Sequence, residues 1–246
     1  MFLETDGIVL RTSKSTNNDI FLTILTRKAG KIEVVANGAK SSRSPLSACS
    51  KPFVFGLFMI NTSGKMMKLV SCTIHESNFR ITESLEAFAY GSYIFEVCHH
   101  TTHKNVIEPE HYTLIVEIAD ILSKQTRDYK LLQLAYLVKL SKFTGHMPNL
   151  TDKCMKCGET LDDYVFAVEE GGLIHRHCAG DQNTSYKLNL TFIQILRYLL
   201  VKDIRVILKT KFHDKYINKL LPMMETYLMY HTEMSAINSK AFIEML

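Results

Sequence analysis

No window of the 246 residues holds 18 uncharged apolar side chains in a row, so the sequence offers no membrane-spanning helix. The opening Met1-Phe2-Leu3-Glu4-Thr5-Asp6 lacks a basic segment followed by an apolar run, so no secretory leader is expected. A chain with neither feature is expected in a reducing cytoplasm, where its six cysteines act as thiols or metal ligands rather than disulfides. There is no G-x-x-x-x-G-K-[ST] loop, no G-x-G-x-x-G after a strand and no G-x-S-x-G elbow. Nucleotide hydrolysis, dinucleotide binding and serine-hydrolase chemistry are therefore without support. His99 and His103 stand four apart, but a metalloprotease needs Glu directly after the first His, and that place is taken by His100. This cluster suits a helix C-terminus, where imidazoles sit well against the dipole. Internal repeats and low-complexity tracts are missing too.

What is present is ordinary globular material. Apolar residues make up 46% and charged residues 22%, and mean hydropathy is zero, which argues against disorder. The net charge of +4 is unevenly placed. Residues 1–78 carry ten Lys and Arg against five Asp and Glu, a surplus of +5, so the remainder sums to −1. A polyanion-binding surface belongs in the N-terminal third. The competing reading is a solvated basic rim.

The first 78 residues read as strands. Thr5–Arg11, Asp19–Thr26 and Lys31–Ala36 are β-rich, and Arg27-Lys28-Ala29-Gly30 is a tight turn with Gly supplying positive φ. Asn37-Gly38 signals another turn, and Ala39–Pro45 is polar and basic. Pro52–Asn61 and Lys65–Glu76 flank the hairpin signature Thr62-Ser63-Gly64. Five short antiparallel strands in this length suit a closed barrel of OB type, with an SH3-like barrel as the rival. From Leu85 the period becomes helical: Leu85–Thr101, Pro109–Lys124 and Asp128–Phe143, the last ended by Gly145 and Pro148. Residues 150–186 lack periodicity. Helices are expected again at Leu190–Val201, at Phe212–Glu233 with a bend at Pro222, and from Ser239 onward. The fold class is α+β: a barrel over 1–80, then a helical domain over 81–246.

The aperiodic stretch holds the chemistry. Cys154-Met155-Lys156-Cys157-Gly158 is a CxxC knuckle, and His175-Arg176-His177-Cys178 follows 17 residues later. C-x2-C-x17-H-x2-C fits tetrahedral zinc held by Cys154, Cys157, His175 and Cys178. His177 competes for the fourth place, but neighbouring side chains in an extended segment point apart, so His175 is preferred over this neighbour of Cys178. Four protein ligands leave no position for water, which argues for structure rather than zinc catalysis. Unrelated free thiols are the bland alternative. Cys49, Cys72 and Cys98 stand alone on apolar segments and read as core.

The barrel's cations are the second informative set. Lys28 and Lys31 flank a hairpin tip, and Lys40, Arg43 and Lys51 lie in or beside the loop after the third strand. Phe53, Phe55 and Phe58 follow. OB barrels bind single strands with a basic groove for phosphates and aromatics for bases. Phe53 and Phe55, sharing a face, are expected in the core, so the charges are the better signal.

These pieces together resemble a known family. Glu4-Thr5-Asp6-Gly7-Ile8-Val9-Leu10-Arg11, Asp19-Ile20, Leu25-Thr26-Arg27-Lys28-Ala29-Gly30-Lys31 and Ala36-Asn37-Gly38-Ala39-Lys40 look like the opening of RecO DNA-repair proteins. The knuckle at Cys154 with Gly171-Gly172 and a second ligand pair is similar to that family's zinc module. His231 with Ser239-Lys240-Ala241-Phe242 resembles its closing motif. One departure stands out: the family's second pair is usually Cys-x-x-Cys, and here its first member is His175, which makes the site less negative by one unit.

The resemblance implies an N-terminal OB fold and a helical body carrying zinc at about 150–180. It implies a non-catalytic recombination mediator in the cytoplasm, associated with the nucleoid. Such a protein binds single- and double-stranded DNA, anneals complementary strands, pairs with RecR and helps load RecA onto strands coated by single-stranded-DNA-binding protein (SSB). DNA is then expected on Arg11, Lys14, Lys28, Lys31, Lys40 and Arg43. The acidic C-terminal tail of SSB would want a basic-rimmed groove, for which Lys124, Arg127, Lys130, Lys139 and Lys142 are candidates. The rival reading is a zinc-ribbon adaptor binding protein partners in transcription or translation; a metal-dependent hydrolase would need an open coordination position.

Overall fold

The structure, a computed structural model, describes residues 1–15, 17–124, 128–180, 184–232, 234 and 236–246, and of Lys14 it describes the backbone alone. The described residues form two compact units, Met1–Arg127 with Ala236–Leu246, and Asp128–Ser235. The change from strand to helix does fall near residue 80, yet the helices just beyond it belong to the same unit as the strands.

The first unit is built on β1 (Phe2–Lys14), β2 (Ile20–Thr26), β3 (Gly30–Ala36), β4 (Phe55–Asn61) and β5 (Met67–Glu76). They close into a barrel in the order β1-β2-β3-β5-β4. Four pairings are antiparallel, but β3 meets β5 in parallel, Val34 opposite Met67 and Val35 opposite Lys68. This corrects the expectation of a wholly antiparallel barrel. Strands that alternate in direction around a closed ring must be even in number, so a ring of five has to contain a parallel pair. The long connection over 37–54 lets the chain cross to the far side before β4 begins. Alternating side chains fill the interior, among them Val9, Leu22, Ile24, Ile32, Val34, Phe58 and Ile60.

The β2–β3 turn shows why the sequence folds this way locally. Thr26 Oγ1 accepts from the Ala29 amide at 3.1 Å and donates to the Gly30 carbonyl at 2.8 Å. Gly30 has φ 65°, and a Cβ there would lie 2.0 Å from the Val106 carbonyl oxygen, so only glycine fits.

Two helices and a short third complete this unit: α1 (Leu85–Thr101), α2 (Pro109–Ser123) and, from the chain's end, α8 (Lys240–Glu244). The Ser84 side chain caps α1 by accepting from the Ala87 amide, and Pro109 opens α2. Phe53, at φ 71°, turns its ring inward to meet Phe95 edge-on at 4.8 Å. On α1, Glu96 accepts from the amides of Asn238 and Ser239 at 3.1 and 2.8 Å, which docks the start of α8.

In the second unit α3 (Tyr129–Phe143) is central. Leu131, Leu132, Leu134, Ala135, Tyr136, Leu137, Val138 and Leu140 are all buried, as befits a helix packed on several sides. Around it lie α5 (Leu190–Val201), α6 (Ile204–Lys209) and α7 (Asp214–His231). The six residues of α6 are too few to show a period, so the sequence had not signalled it. α7 continues through Pro222 and starts after the cap residue His213 rather than at Phe212. Between α3 and α5 the aperiodic stretch forms β6 (Tyr164–Ala167), β7 (Gly172–His175), α4 (Arg176–Ala179) and β8 (Ser185–Tyr186), with sheet order β7-β6-β8.

Candidate functional site

The knuckle forms because the backbone wraps the first two sulfurs. The Cys154 amide donates to the Glu159 carbonyl at 2.8 Å and the Gly158 amide to the Cys154 carbonyl at 2.9 Å, with Gly158 at φ 78°. The β6–β7 hairpin sets Tyr164 opposite His175, and α4 begins at once, which places Cys178 on its first turn. The Asp163 carboxylate holds Arg176 at 2.8 Å, fixing the junction between them.

Cys154, Cys157, His175 and Cys178 come together with all four ligand atoms within 4.8 Å of one another. His175 Nδ1 is 3.3 Å from Cys157 Sγ, while His175 Nε2 lies 3.1 Å from the Thr160 carbonyl oxygen. An Nε2–H donated to that carbonyl leaves Nδ1 free to ligate, the usual arrangement behind a metal-binding imidazole. His177 stacks on His175 with ring centroids 4.9 Å apart and is exposed, outside the group of four.

The electrostatics ask for a cation. Burial acts to raise the Cys154 thiol, but amides of Cys157, His175 and Lys156 aimed at its sulfur outweigh this and hold it down to about 6. Cys178 goes the other way, pushed up to about 11 by burial and by the sulfurs of Cys154 and Cys157. Thiolates this close oppose one another's ionisation, and a divalent ion removes the conflict. Zinc–sulfur bonds of about 2.3 Å in a tetrahedron put donors roughly 3.8 Å apart. Three sulfurs and one imidazole at these separations can hold a metal ion, and the donor set is consistent with zinc.

The module's own apolar core is small: Val165, Ala167 and Ile174 with Ala179 and Cys154. It is also clipped to its unit by polar contacts. The Arg197 guanidinium on α5 donates from Nε to the Leu150 carbonyl at 3.0 Å and reaches Asp152 at 2.8 Å, and His231 Nε2 on α7 lies 2.6 Å from the Val168 carbonyl.

The expected DNA-binding cations fare unequally. Arg11 is exposed on β1, opposite Thr23 of β2. Lys28 is exposed at the β2–β3 turn, its ammonium 2.9 Å from the Glu4 carbonyl, and Arg43 is exposed in the long connection. Lys40 is half-buried, and its ammonium donates to the carbonyls of Ser15 and Asn17, which ties down the β1–β2 loop. The Lys31 ammonium donates to the His99 carbonyl in the last turn of α1, and the residue is 7% exposed. Burial holds it below the usual lysine range. Lys31 therefore serves a helix terminus rather than the solvent. The side chain of Lys14 lies outside the described residues.

A cleft of about 420 Å³ lies on the outer face of β1, β2 and β3, lined by Arg11, Ser13, Phe21, Thr23, Met66 and His99 among others. Phe21 is 37% exposed, the exposed position in a strand otherwise buried, and Met66 at the β4–β5 turn is 52% exposed. Glu33 also lines the cleft, but its carboxylate is paired with Lys104 at 2.8 Å. Phe21 was missed because an apolar run hides which side chain faces out. Of the phenylalanines considered instead, Phe53 and Phe58 are buried; Phe55 is half-buried against the His75 ring at 5.2 Å. Cys49 and Cys98 are buried as expected, and Cys72 is half-buried. Of the cations suggested for an acidic tail, Lys124 is in the first unit and Lys130, Lys139 and Lys142 are on α3 in the second. Arg127 lies outside the described residues.

Among the described residues no helix is long and apolar enough to cross a membrane. Residues 1–78 match the family model "Recombination protein O N terminal" and residues 82–241 match "Recombination protein O C terminal". The chain is 28% identical over 240 residues to the DNA repair protein RecO of Alkaliphilus metalliredigens, covering 97% of each. It is 34% identical over 191 residues to that of Bacillus pumilus, covering 78% of this chain and 73% of the relative. With Bacillus subtilis RecO the figure is 31% over 178 residues, covering 72% and 69%. A barrel with an exposed cation and aromatic, a Cys/His cluster behind it in the chain that could hold a metal, and these matches across both halves lead to one conclusion: the chain belongs to the RecO family of DNA repair proteins.

Proposed function

We propose that this protein is a non-catalytic mediator of recombinational DNA repair whose barrel holds single- and double-stranded DNA. The carrying observation is the β1–β3 cleft, where the Arg11 guanidinium and the exposed Phe21 ring line one surface. A phosphate suits the first and a base face the second, and neither selects a sequence. Lys28 and Arg43 are further exposed cations of the same unit. In the family's manner the protein anneals complementary strands and, with RecR, helps load RecA onto SSB-coated single strands, docking the SSB tail. Cys154, Cys157, His175 and Cys178 would hold a structural zinc, which when bound would supply charge neutralisation and cross-linking.

The test is anisotropy of a fluorescent single strand at several salt concentrations. Phosphate contacts on a single strand each add roughly 0.7 to the steepness of log affinity against log salt. Replacing Arg11, Lys28 and Arg43 together by Ala should weaken binding at low salt and flatten the slope by about 2. Unchanged affinity would refute the barrel as the DNA-binding element.

A further inference from the structure

A second cleft, also about 420 Å³, opens between β1, α1 and α8. Arg11 and His99 line both clefts, so the second begins where the first ends. Its walls are aromatic: Phe88 of α1 and Phe242 of α8 stand with centroids 5.9 Å apart, above Phe53 and Phe95. Phe242 remains 44% exposed although it is one of these walls.

The charges in this cleft favour an anion. Glu96 is the carboxylate present, and it is occupied by the amides of Asn238 and Ser239 and by the Asn238 side chain at 3.2 Å. His100 Nε2 also lies 3.8 Å from Glu96 Oε1, so Arg11 remains as the cation of the rim. His99 Nδ1, on the wall between the clefts, is the one buried side-chain nitrogen or oxygen without a hydrogen-bond partner among the described residues. A group of that kind normally finds water or a ligand.

We propose that this cleft is a second nucleotide subsite: a single strand running along β1–β3 turns at Arg11, leaves its phosphate there, and stacks one base against Phe242 and Phe88. This rests on the reading that the outer cleft holds DNA, and extends the strand's path to the chain's own C-terminal helix. Continuity through Arg11 favours a nucleotide over a peptide. Base–aromatic stacking is also tolerant of sequence, as a mediator on arbitrary DNA requires.

The experiment uses the full chain and a single-stranded oligonucleotide carrying 2-aminopurine, whose fluorescence falls on stacking. Phe242→Ala removes an exposed wall, and Ser92→Phe fills the space from α1; circular dichroism melts establish that both fold. Each should bind the strand about tenfold more weakly, with the salt slope unchanged and the extra quenching lost. Wild-type affinity and quenching in both variants, while Arg11→Ala and Phe21→Ala bind poorly, would overturn the subsite and leave the barrel reading intact. If Phe242→Ala keeps DNA affinity but loses an acidic, aromatic-ended peptide, the cleft is a protein-docking site and the inference fails. No strand binding by the wild type at low salt would instead sink the barrel reading itself.

Discussion

The imidazole of His175 approaches the thiol of Cys157 with its Nδ1, at 3.3 Å, and turns its Nε2 to a backbone carbonyl. That orientation leaves Nδ1, the nitrogen nearest its own backbone, available to a metal, with His177 stacked outside the group of four.

Metal content follows directly. Cys154→Ser should lose the bound ion and lower the melting temperature, because Val165, Ala167 and Ile174 are too few to hold the module unaided. His177→Ala should keep the ion, and His175→Cys should keep it with one more negative charge in the site. Elemental analysis and a cobalt-substituted spectrum check all three; a metal-free His175→Cys protein, or a metal-depleted His177→Ala, would reassign the fourth ligand.

Lys31, expected as a DNA contact, is buried in the fold. Its ammonium meets the His99 carbonyl in the final turn of α1, where a cation also suits the helix dipole. Lys31→Ala should therefore cost about 1–3 kcal/mol of stability by leaving a carbonyl without its donor. Single-strand affinity, measured by anisotropy at low salt, should change less than twofold. A several-fold loss of affinity with unchanged melting would restore Lys31 to the DNA surface.

His111 gives the protein an alkaline weak point. It is buried, with Nδ1 3.2 Å from Glu108 Oε2. Burial acts against its charge, but the Cys98 sulfur and the Glu108 carboxylate outweigh it and push the imidazole up to about 9. A raised histidine stabilises the fold fully below its unfolded value near 6.5, and that contribution is lost as pH rises through about 9. Denaturant melts at pH 6.5 and 9.5 should differ by on the order of 1–3 kcal/mol from this group, and Glu108→Gln should shrink the difference. A difference that Glu108→Gln leaves untouched would exclude the pair as its source.

Local rules settled much of this protein from its sequence. The Arg27–Gly30 turn, Pro109 and the long helical stripes depend on neighbours within a few residues, so they were legible. The spacing of Cys154, Cys157, His175 and Cys178 carried the metal cluster, because ligand chemistry is written in residue type. Tertiary structure decided the rest. The parallel β3–β5 pairing comes from closing an odd ring, which no single strand encodes. β6, β7 and β8 are two to four residues long, below the length at which a period appears. Lys31 is buried and Phe21 exposed, since exposure depends on what packs across the barrel. Arg11 alone among the expected cations lines both clefts, and only the meeting of β1, α1 and the chain's distant end creates the second.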